Sequence, residues 1–496
     1  MVQNIYDIVV IGGGINGMGI ARDAAGRGLS VLLLEQNDFA SATSSASSKL
    51  IHGGLRYLEY YEFGLVRAAL KEREVLLAMA PHIIWPLNFI LPHSADMRPA
   101  WLVRMGLFLY DHLGGRKVLK ASKSVKLDKA IFKDKFHKGF SYADCWTDDA
   151  RLVVLNAMDA EERGAHIYNY TPCIGAKVVD GLWQIEAGGA LQGVPIQARQ
   201  LVNAAGPWVR SFLDAHNLAD KNTRQLRLVK GSHIIVPKLF DGDDSYILQQ
   251  PDGRIVFALP YVDDYTLIGT TDVEYEGDPS AVHIDADEID YLCAATNRYF
   301  RSEITADDVV STYSGVRPLL DSGEDNASAV TRDYILDYSE RSGAPLLSIF
   351  GGKITTYRTL AEKAVSKLSN KATWTAHSLL PGALINDYSH DKMHDMFQQA
   401  FSDDALEGAA VKTIIKRWRR QYGSRSRKIF DTGRLGRHFG HGLYQAEVDY
   451  LCADEYAQCA ADILWRRTKL GLKFDEAQQR ALEQYIKEEL HGDRHE

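Results

Sequence analysis

Gly12, Gly14 and Gly17 stand in the spacing GxGxxG, a pattern of residues suited to holding a phosphorylated ligand. Gly12 allows a tight turn, Gly14 lets the backbone approach a pyrophosphate, and Gly17 lets a helix pack closely on a strand. Ile15 and Asn16 sit inside the same turn, where amides at a helix N-terminus stabilise phosphate charge. Glu35 follows at roughly the 20-residue distance at which a carboxylate meets the two ribose hydroxyls of an adenosine. An acid there disfavours a 2′-phosphate and so speaks against NADP. A glycine turn alone is weak evidence, because such turns recur for structural reasons. Strand, glycines, helix, strand and acid together are far more specific.

The elements that must position this turn follow from the hydrophobic pattern. Residues 5–11 are an apolar run ending at Gly12, 19–28 read as helix and 30–35 resume strand, which makes a βαβ unit. A loop of small polar residues spans 41–48, and helices are expected at 64–80, stopping at Pro81, and at 149–163. Between 173 and 199, short runs broken by Asp180, Gly181, Gly188 and Gly189 read as an antiparallel meander. It ends in LVNAAGPW, another apolar strand meeting a small-residue turn. Strand signals dominate 226–347, with a helical interlude at 287–299. A buried strand returns at 345–350, Gly351 and Gly352 break it, and 355–368 read as helix, so the nucleotide domain is completed late in the chain. Beyond Pro381 strand signals fade. The expected division is 1–80, 145–225 and 345–370 for the nucleotide domain, 81–144 and 226–344 for a substrate domain, and 380–496 for a helical C-terminal cap.

A chain of 496 residues exceeds the roughly 250 to 300 at which single cores stop growing, so two or three domains are expected. Apolar residues at 46% and charged residues at 25% are ordinary globular usage. A net charge of -8 gives no reason to expect a nucleic-acid partner. The cysteines (Cys145, Cys173, Cys293, Cys452, Cys459) are scattered, with no CxxC pair. Neither a disulfide framework nor a metal site is expected, which fits a reducing, cytoplasmic compartment. The strand begins almost at Met1, so no leader is expected. No apolar run approaches the roughly 20 residues needed to span a bilayer, so any membrane contact is expected to be peripheral or monotopic.

FAD rather than NAD follows from the position of the glycine turn and from LVNAAG and LLSIFGGK, which return in the order a split flavoprotein domain needs. The stretch 43–59, TSSASSKLIHGGLRYLE, resembles the FAD-contacting segment of FAD-dependent glycerol-3-phosphate dehydrogenases, within the wider family of D-amino-acid-oxidase-like flavoproteins. YSGVRPL, TRDY, FGGKITTYR and ADILWRRTK match as well, so the resemblance runs along essentially the whole chain. It points to the short bacterial-type aerobic form, because no DxDxDG calcium loop is present.

The resemblance implies an α/β fold: a glutathione-reductase-type FAD-binding domain with an antiparallel-sheet substrate domain and a helical C-terminal cap. It implies that Thr43, Ser44, Ser47, Lys49, Leu50, His52 and Gly53 line the flavin, with Ala205 and Gly206 toward the adenine or pyrophosphate. The bland alternative for 43–53 is a Ser-rich surface loop. At Gly352 and Thr355 a second helix start would turn its positive end to the pyrimidine edge of the isoalloxazine. The FAD is expected to be non-covalent.

The implied reaction is oxidation of sn-glycerol 3-phosphate to dihydroxyacetone phosphate by hydride transfer to FAD, with electrons passed to a membrane quinone at the cytoplasmic face of the inner membrane. A dianionic phosphate needs cations at fixed angles, and Arg317, Arg332 and Lys353 lie in matching segments, with Arg56 and Tyr57 approaching from the flavin loop. Any one arginine could merely serve a local salt bridge. His233 is the preferred base, since imidazole titrates near neutral pH, with His52 and Lys353 as alternatives. An oxidase using oxygen, an amine- or amino-acid-oxidising flavoprotein and a non-catalytic FAD-binding protein stay open, as does a homodimer.

Two segments suit membrane contact. Residues 98–113, RPAWLVRMGLFLYDHL, mix aromatics with arginines as an interfacial helix would, yet read slightly better as a buried core helix with snorkelling arginines. Residues 412–430 carry a basic excess around Ile414, Ile415, Trp418 and Tyr422, which fits anionic headgroups or a solvated face equally well.

Overall fold

The computed structural model describes residues 5–221, 223–320, 334–341, 343–402, 404, 406 and 408–490. Two large sheets organise them. In the first, Ala344–Gly351, Ile196–Asn203, Ile5–Ile11, Val31–Leu34 and His166–Tyr168 run parallel in that order. Their near-continuous apolar sequences suit a sheet covered on both faces. Helices Ile15–Gly26, Asp149–Glu162 and Tyr357–Leu368 pack over one face around Ile8, Val10, Val153 and Leu360. The opposite face is closed by Cys173–Val179, Leu182–Ala187 and the short helix Val209–Ala215, with Trp183 fully buried.

Two expectations shift here. The last run of the predicted meander and LVNAAG are one strand, Ile196–Asn203, which pairs antiparallel with Leu182–Ala187 and parallel with Ile5–Ile11. Tyr334–Arg341, expected in the substrate half, pairs antiparallel with Ala344–Gly351 and so extends the nucleotide sheet. The chain's cheapest partner for this strand is the one it meets across a short turn.

The second sheet is antiparallel apart from one parallel pairing, Ser245–Gln249 with Ile84–His93. Its long strand Leu226–Pro237 pairs with Ser311–Leu320 from Leu226 to Ile235, and Ile255–Tyr261 and Tyr265–Gly269 extend the sheet. Leu50–Ile51, predicted with the nucleotide half, crosses over to pair with Lys138–Thr147, which ties the segment between the domains to both.

Residues beyond 380 form helices His390–Ala400, Ala409–Gln421, Gln445–Asp454 and Glu476–Tyr485 around their own core, which includes Trp418 and Tyr422. A small hairpin, His438–Gly440 with Leu443–Tyr444, adds strands where none were expected. Ion pairs moor this cap: the buried Arg151 with Glu455 and Arg467 with Asp38 at 2.5 Å, and the partly buried Lys469 with Asp148 at 2.8 Å.

Ala100–Leu113 departs from the expected buried core helix. Only Leu107 and Tyr110 are buried, whereas Trp101 is 68% and Phe108 56% exposed, and Met105 and Leu109 also face solvent.

Candidate functional site

The glycine turn is built as its residue types demand. Gly12 has φ +111°, and a Cβ there would lie 2.5 Å from the Ala204 carbonyl oxygen; at Gly17 it would lie 2.0 Å from the Gly12 carbonyl oxygen. At Gly14 a Cβ would meet only the Ser44 Oγ, at 3.2 Å, so this side of the turn is open to a ligand. Gly14 caps helix Ile15–Gly26, and Ser44 Oγ accepts from the Ile15 amide at 3.0 Å. Glu35 follows Val31–Leu34, and its carboxylate accepts from the Gly13 amide at 2.6 Å and the Asn37 amide at 2.8 Å. Burial pushes its pKa up.

Two later segments close on this turn. Asn203 Oδ1 accepts from the Ala205 amide at 3.3 Å, ahead of Gly206 with φ +56°. Asn16 Nδ2 donates to the Gly351 carbonyl at 3.2 Å, and a Cβ at Gly352 would approach that nitrogen to 2.9 Å. The Asn16 Oδ1 is buried without a hydrogen-bond partner. An amide turn open at Gly14, a carboxylate at the end of the second strand and an unpartnered acceptor fit an FAD.

The loop after the second strand is held from behind by Asp149, the first residue of helix Asp149–Glu162. Its carboxylate accepts from the Ser47 amide at 3.2 Å, from Ser47 Oγ at 2.7 Å and from Lys49 Nζ at 2.9 Å. Ser47 and the buried Lys49 therefore brace the loop through Asp149, while Thr43 Oγ1 donates to the Val316 carbonyl at 2.6 Å. Leu50 is buried in the apolar core of the second sheet with Phe89 and Trp146. The His52 amide donates to Thr355 Oγ1 at 3.3 Å, and its ring stands edge-on to Phe257 at 6.5 Å. The Gly53 amide donates to the Tyr110 hydroxyl at 2.8 Å, which donates in turn to Asp144 at 2.8 Å; Arg73 pairs with the same carboxylate at 2.5 Å. Burial holds the Asp144 pKa up despite that arginine.

The substrate face gathers residues from distant strands. Alternation puts Gly231 and His233 on one face of Leu226–Pro237, and pairing brings Tyr313 and Gly269 opposite His233 and Arg317 opposite Val229. Arg317 Nη1 is 2.8 Å from Asp272 Oδ1, and Nη2 donates to Thr270 Oγ1 at 3.0 Å. A Cβ at Gly231 would sit 2.4 Å from Nη2, so the guanidinium lies directly over that glycine. His233 stacks on Tyr313 at 4.7 Å, its Nε2 is 2.9 Å from Ser48 Oγ, and its Nδ1 is buried without a partner. Burial, then the charges of Arg317 and Lys49, pull its pKa well down, so the imidazole is neutral at pH 7.

Lys353 Nζ lies 4.0 Å over the Tyr57 ring, beside the His52–Thr355 contact. Arg56 Nη2 donates to the Tyr60 hydroxyl at 3.3 Å, and Arg56 lines an open cleft. Arg332 lies outside the described residues. The candidates thus fall into two groups, His52, Tyr57, Lys353 and Thr355 on one side and His233 and Arg317 on the other, joined by the 47–53 segment. Sequence reasoning missed Asp149, Tyr110, Asp144, Ser48, Tyr313, Thr270 and Asp272. The GTTD turn at the end of an apolar strand was a usable signal for the last two; the others are bonded to partners far away in sequence and left none.

Residues 7–358 match the family described as FAD dependent oxidoreductase, and residues 373–491 match the C-terminal domain of alpha-glycerophosphate oxidase. A glycerol-3-phosphate dehydrogenase of Pseudomonas aeruginosa is 51% identical over 98% of this chain and 96% of its own length. A D-erythritol 1-phosphate dehydrogenase of Brucella abortus is 49% identical over 97% of both chains. The solved glycerol-3-phosphate dehydrogenase of Bacillus halodurans, complexed with FAD, superposes with a TM-score of 0.74 at 27% identity, covering 99% of this chain and 95% of that one. With a glycine turn suited to FAD and this degree of similarity over nearly the whole chain, the chain belongs to the FAD-dependent oxidoreductase family, in the group that contains the glycerol-3-phosphate dehydrogenases.

Proposed function

We propose that this chain oxidises sn-glycerol 3-phosphate at C2 to dihydroxyacetone phosphate, using non-covalently held FAD and passing the electrons to a membrane quinone. The observation that carries the reading is the shared face of Arg317 and His233. Arg317 is oriented by Asp272 and Thr270, which presents a planar fork suited to two phosphate oxygens. When bound, FAD supplies the acceptor for the C2 hydride. His233 is the base in this reading: its neutral imidazole, whose Nε2 is 2.9 Å from Ser48 Oγ, takes the C2 hydroxyl proton as the carbonyl forms. Its lowered pKa keeps it in the receptive, neutral form. Lys353 and Arg56 supply further positive charge from the flavin side, and Tyr57 beneath Lys353 keeps that ammonium in place. Asp149 holds the Ser47–Lys49 loop against movement.

The Brucella relative supports one alternative, a four-carbon polyol phosphate. Anaerobic mixing of the FAD-loaded protein with sn-glycerol 3-phosphate and, separately, D-erythritol 1-phosphate decides between them. The expected result is rapid loss of flavin absorption with the three-carbon substrate, reversed by a soluble quinone analogue without peroxide. Full-rate bleaching in a His233→Asn variant would remove that histidine as the base.

Membrane contact is supported by Ala100–Leu113, whose Trp101, Met105 and Phe108 are exposed and which is followed in the chain by exposed Lys117, Lys120 and Lys123. Among the described residues no helix is long and apolar enough to cross a membrane. Contact of this kind is monotopic, and the inner membrane's cytoplasmic face is its proposed place. Co-sedimentation with anionic vesicles tests it, and protein left in the supernatant at low salt refutes it.

A further inference from the structure

An open cleft of about 410 Å³ lies between the 94–98 loop, the 250–254 turn and the 3-10 helix Leu55–Tyr60. Arg56, Arg98, Arg254 and Arg298 line it with Glu59 and Asp96, and Asp252 pairs with Arg254 at 2.7 Å, which leaves an excess of one positive charge. Three of these arginines have no part in the site described above. Arg254 is preorganised: its backbone amide and Nε bond Asp252 at 2.9 and 2.8 Å, and its guanidinium lies 3.8 Å over the Tyr291 ring. Arg298 follows helix Ala286–Asn297 and is 3.7 Å from Asp96, a separation too long for a hydrogen bond. Arg98 meets Glu59 at 2.5 Å, but those side chains are 55% and 38% exposed, so water competes for the pair and an anion can displace the carboxylate at little cost.

Two of the cleft's lining residues connect to the group of His52, Tyr57 and Lys353. Arg56 precedes Tyr57, on which Lys353 rests, and Ile255 lies on the strand that carries Phe257 against His52. A phosphate entering here would pass from Arg254 and Arg298 to Arg56 without losing a cationic partner. Clefts lined with an excess of one charge concentrate oppositely charged ligands and raise association rates.

We propose that Arg98, Arg254 and Arg298 form an outer anion site that receives the phosphate group of the incoming polyol phosphate before Arg56 does. The inference rests on the polyol phosphate reading given above. The same chemistry would recognise a phospholipid headgroup, because Arg98 immediately precedes Pro99, the N-cap of the exposed helix Ala100–Leu113.

The test uses the FAD-loaded full chain with Arg254→Gln and Arg298→Gln, singly and together, and with Arg98→Gln. For the double variant kcat is expected to stay at the wild-type level while kcat/KM for sn-glycerol 3-phosphate falls about ten-fold at low ionic strength, the gap closing as salt screens the field. Calorimetric titration with inorganic phosphate is expected to show a binding event in the wild type that the double variant loses. That readout does not depend on turnover, so it stands or falls separately from the identity of the substrate. Superimposable kcat/KM values across the salt range, with phosphate binding unchanged, would overturn the proposal. Unchanged kcat/KM with weakened sedimentation on phosphatidylglycerol vesicles would overturn it too, by assigning the cleft to lipid.

Discussion

Helices Ala100–Leu113 and Ala409–Gln421 are built from the same materials, aromatic and aliphatic residues interleaved with arginine and lysine, and they end in opposite situations. In the second, Val411, Ile414, Ile415 and Trp418 are buried in the cap core. Most of its cations are engaged within the protein: Arg417 pairs with Glu447, Lys416 reaches Asp263 at 2.7 Å, and Arg420 stacks on Trp85 at 4.1 Å. The following segment continues the pattern, with Arg425 on Glu162 and Lys428 on Asp454. In the first helix much of the apolar face is left in solvent, and exposed lysines follow it in the chain. An amphipathic pattern states that a helix has an apolar side, and the rest of the fold decides what covers it.

The sharpest way to break this comparison is to truncate the two tryptophans. Trp418→Ala is expected to cost about 3–5 kcal/mol of cap stability in denaturant unfolding, because it leaves a cavity in a closed core. Trp101→Ala, at 68% exposure, should change stability by less than about 0.5 kcal/mol and weaken vesicle binding instead. Equal losses would erase the distinction. Replacing Lys117, Lys120 and Lys123 together with Gln should weaken binding to anionic vesicles by about 1 kcal/mol per lysine and leave neutral vesicles unaffected, measured by sedimentation.

Tyr110 sharpens the contrast from inside, since it is the one polar side chain that the exposed helix buries. Tyr110→Phe strips the Gly53 amide of its acceptor and Asp144 of a donor, at about 1–3 kcal/mol. Faster hydrogen exchange across 50–57 is the expected reading; unchanged protection would show that the bond does not hold the loop.

The smallest effect concerns His82, buried beside the cap helix, whose pKa is depressed from 6.5 to about 3 by burial and by Arg151 and Arg420. The unfolded chain takes up a proton below pH 6.5 and the folded chain does not, so stability is full above that pH and is lost progressively as pH falls toward 3. Over the first unit below 6.5 the loss should stay under about 1.4 kcal/mol. A His82→Leu variant should flatten this slope in unfolding measurements at pH 5.5 and 7.5, and an unaltered slope would mean that other groups set it.

Reading the residues in order was most informative where structure is local. Gly12, Gly14, Gly17 and Glu35 lie in one βαβ unit, so the turn's backbone needs and the acid's position are written within a single stretch of chain. Helices such as Phe63–Met79 and Asp149–Glu162 were foreseen to within a residue or two, because periodicity and a terminating proline or a capping aspartate act over one turn. Arg56, Arg317, Lys353 and His233 were named by residue type and by resemblance. Nothing along the chain said that His233 would meet Ser48, or that Ser47 and Lys49 would be engaged by Asp149.

The sequence by itself determined the cofactor class, the presence of two sheets and a helical end, and the residue types available for an anionic substrate. Tertiary structure alone decided which strand joined which sheet, as with Tyr334–Arg341, and which amphipathic helix kept its apolar face in solvent. The reason is one of range. Backbone conformation and capping are settled by neighbours in sequence, whereas burial, ion pairing and the sharing of a sheet face depend on contacts between residues hundreds of positions apart, each chosen against every other surface the chain could offer.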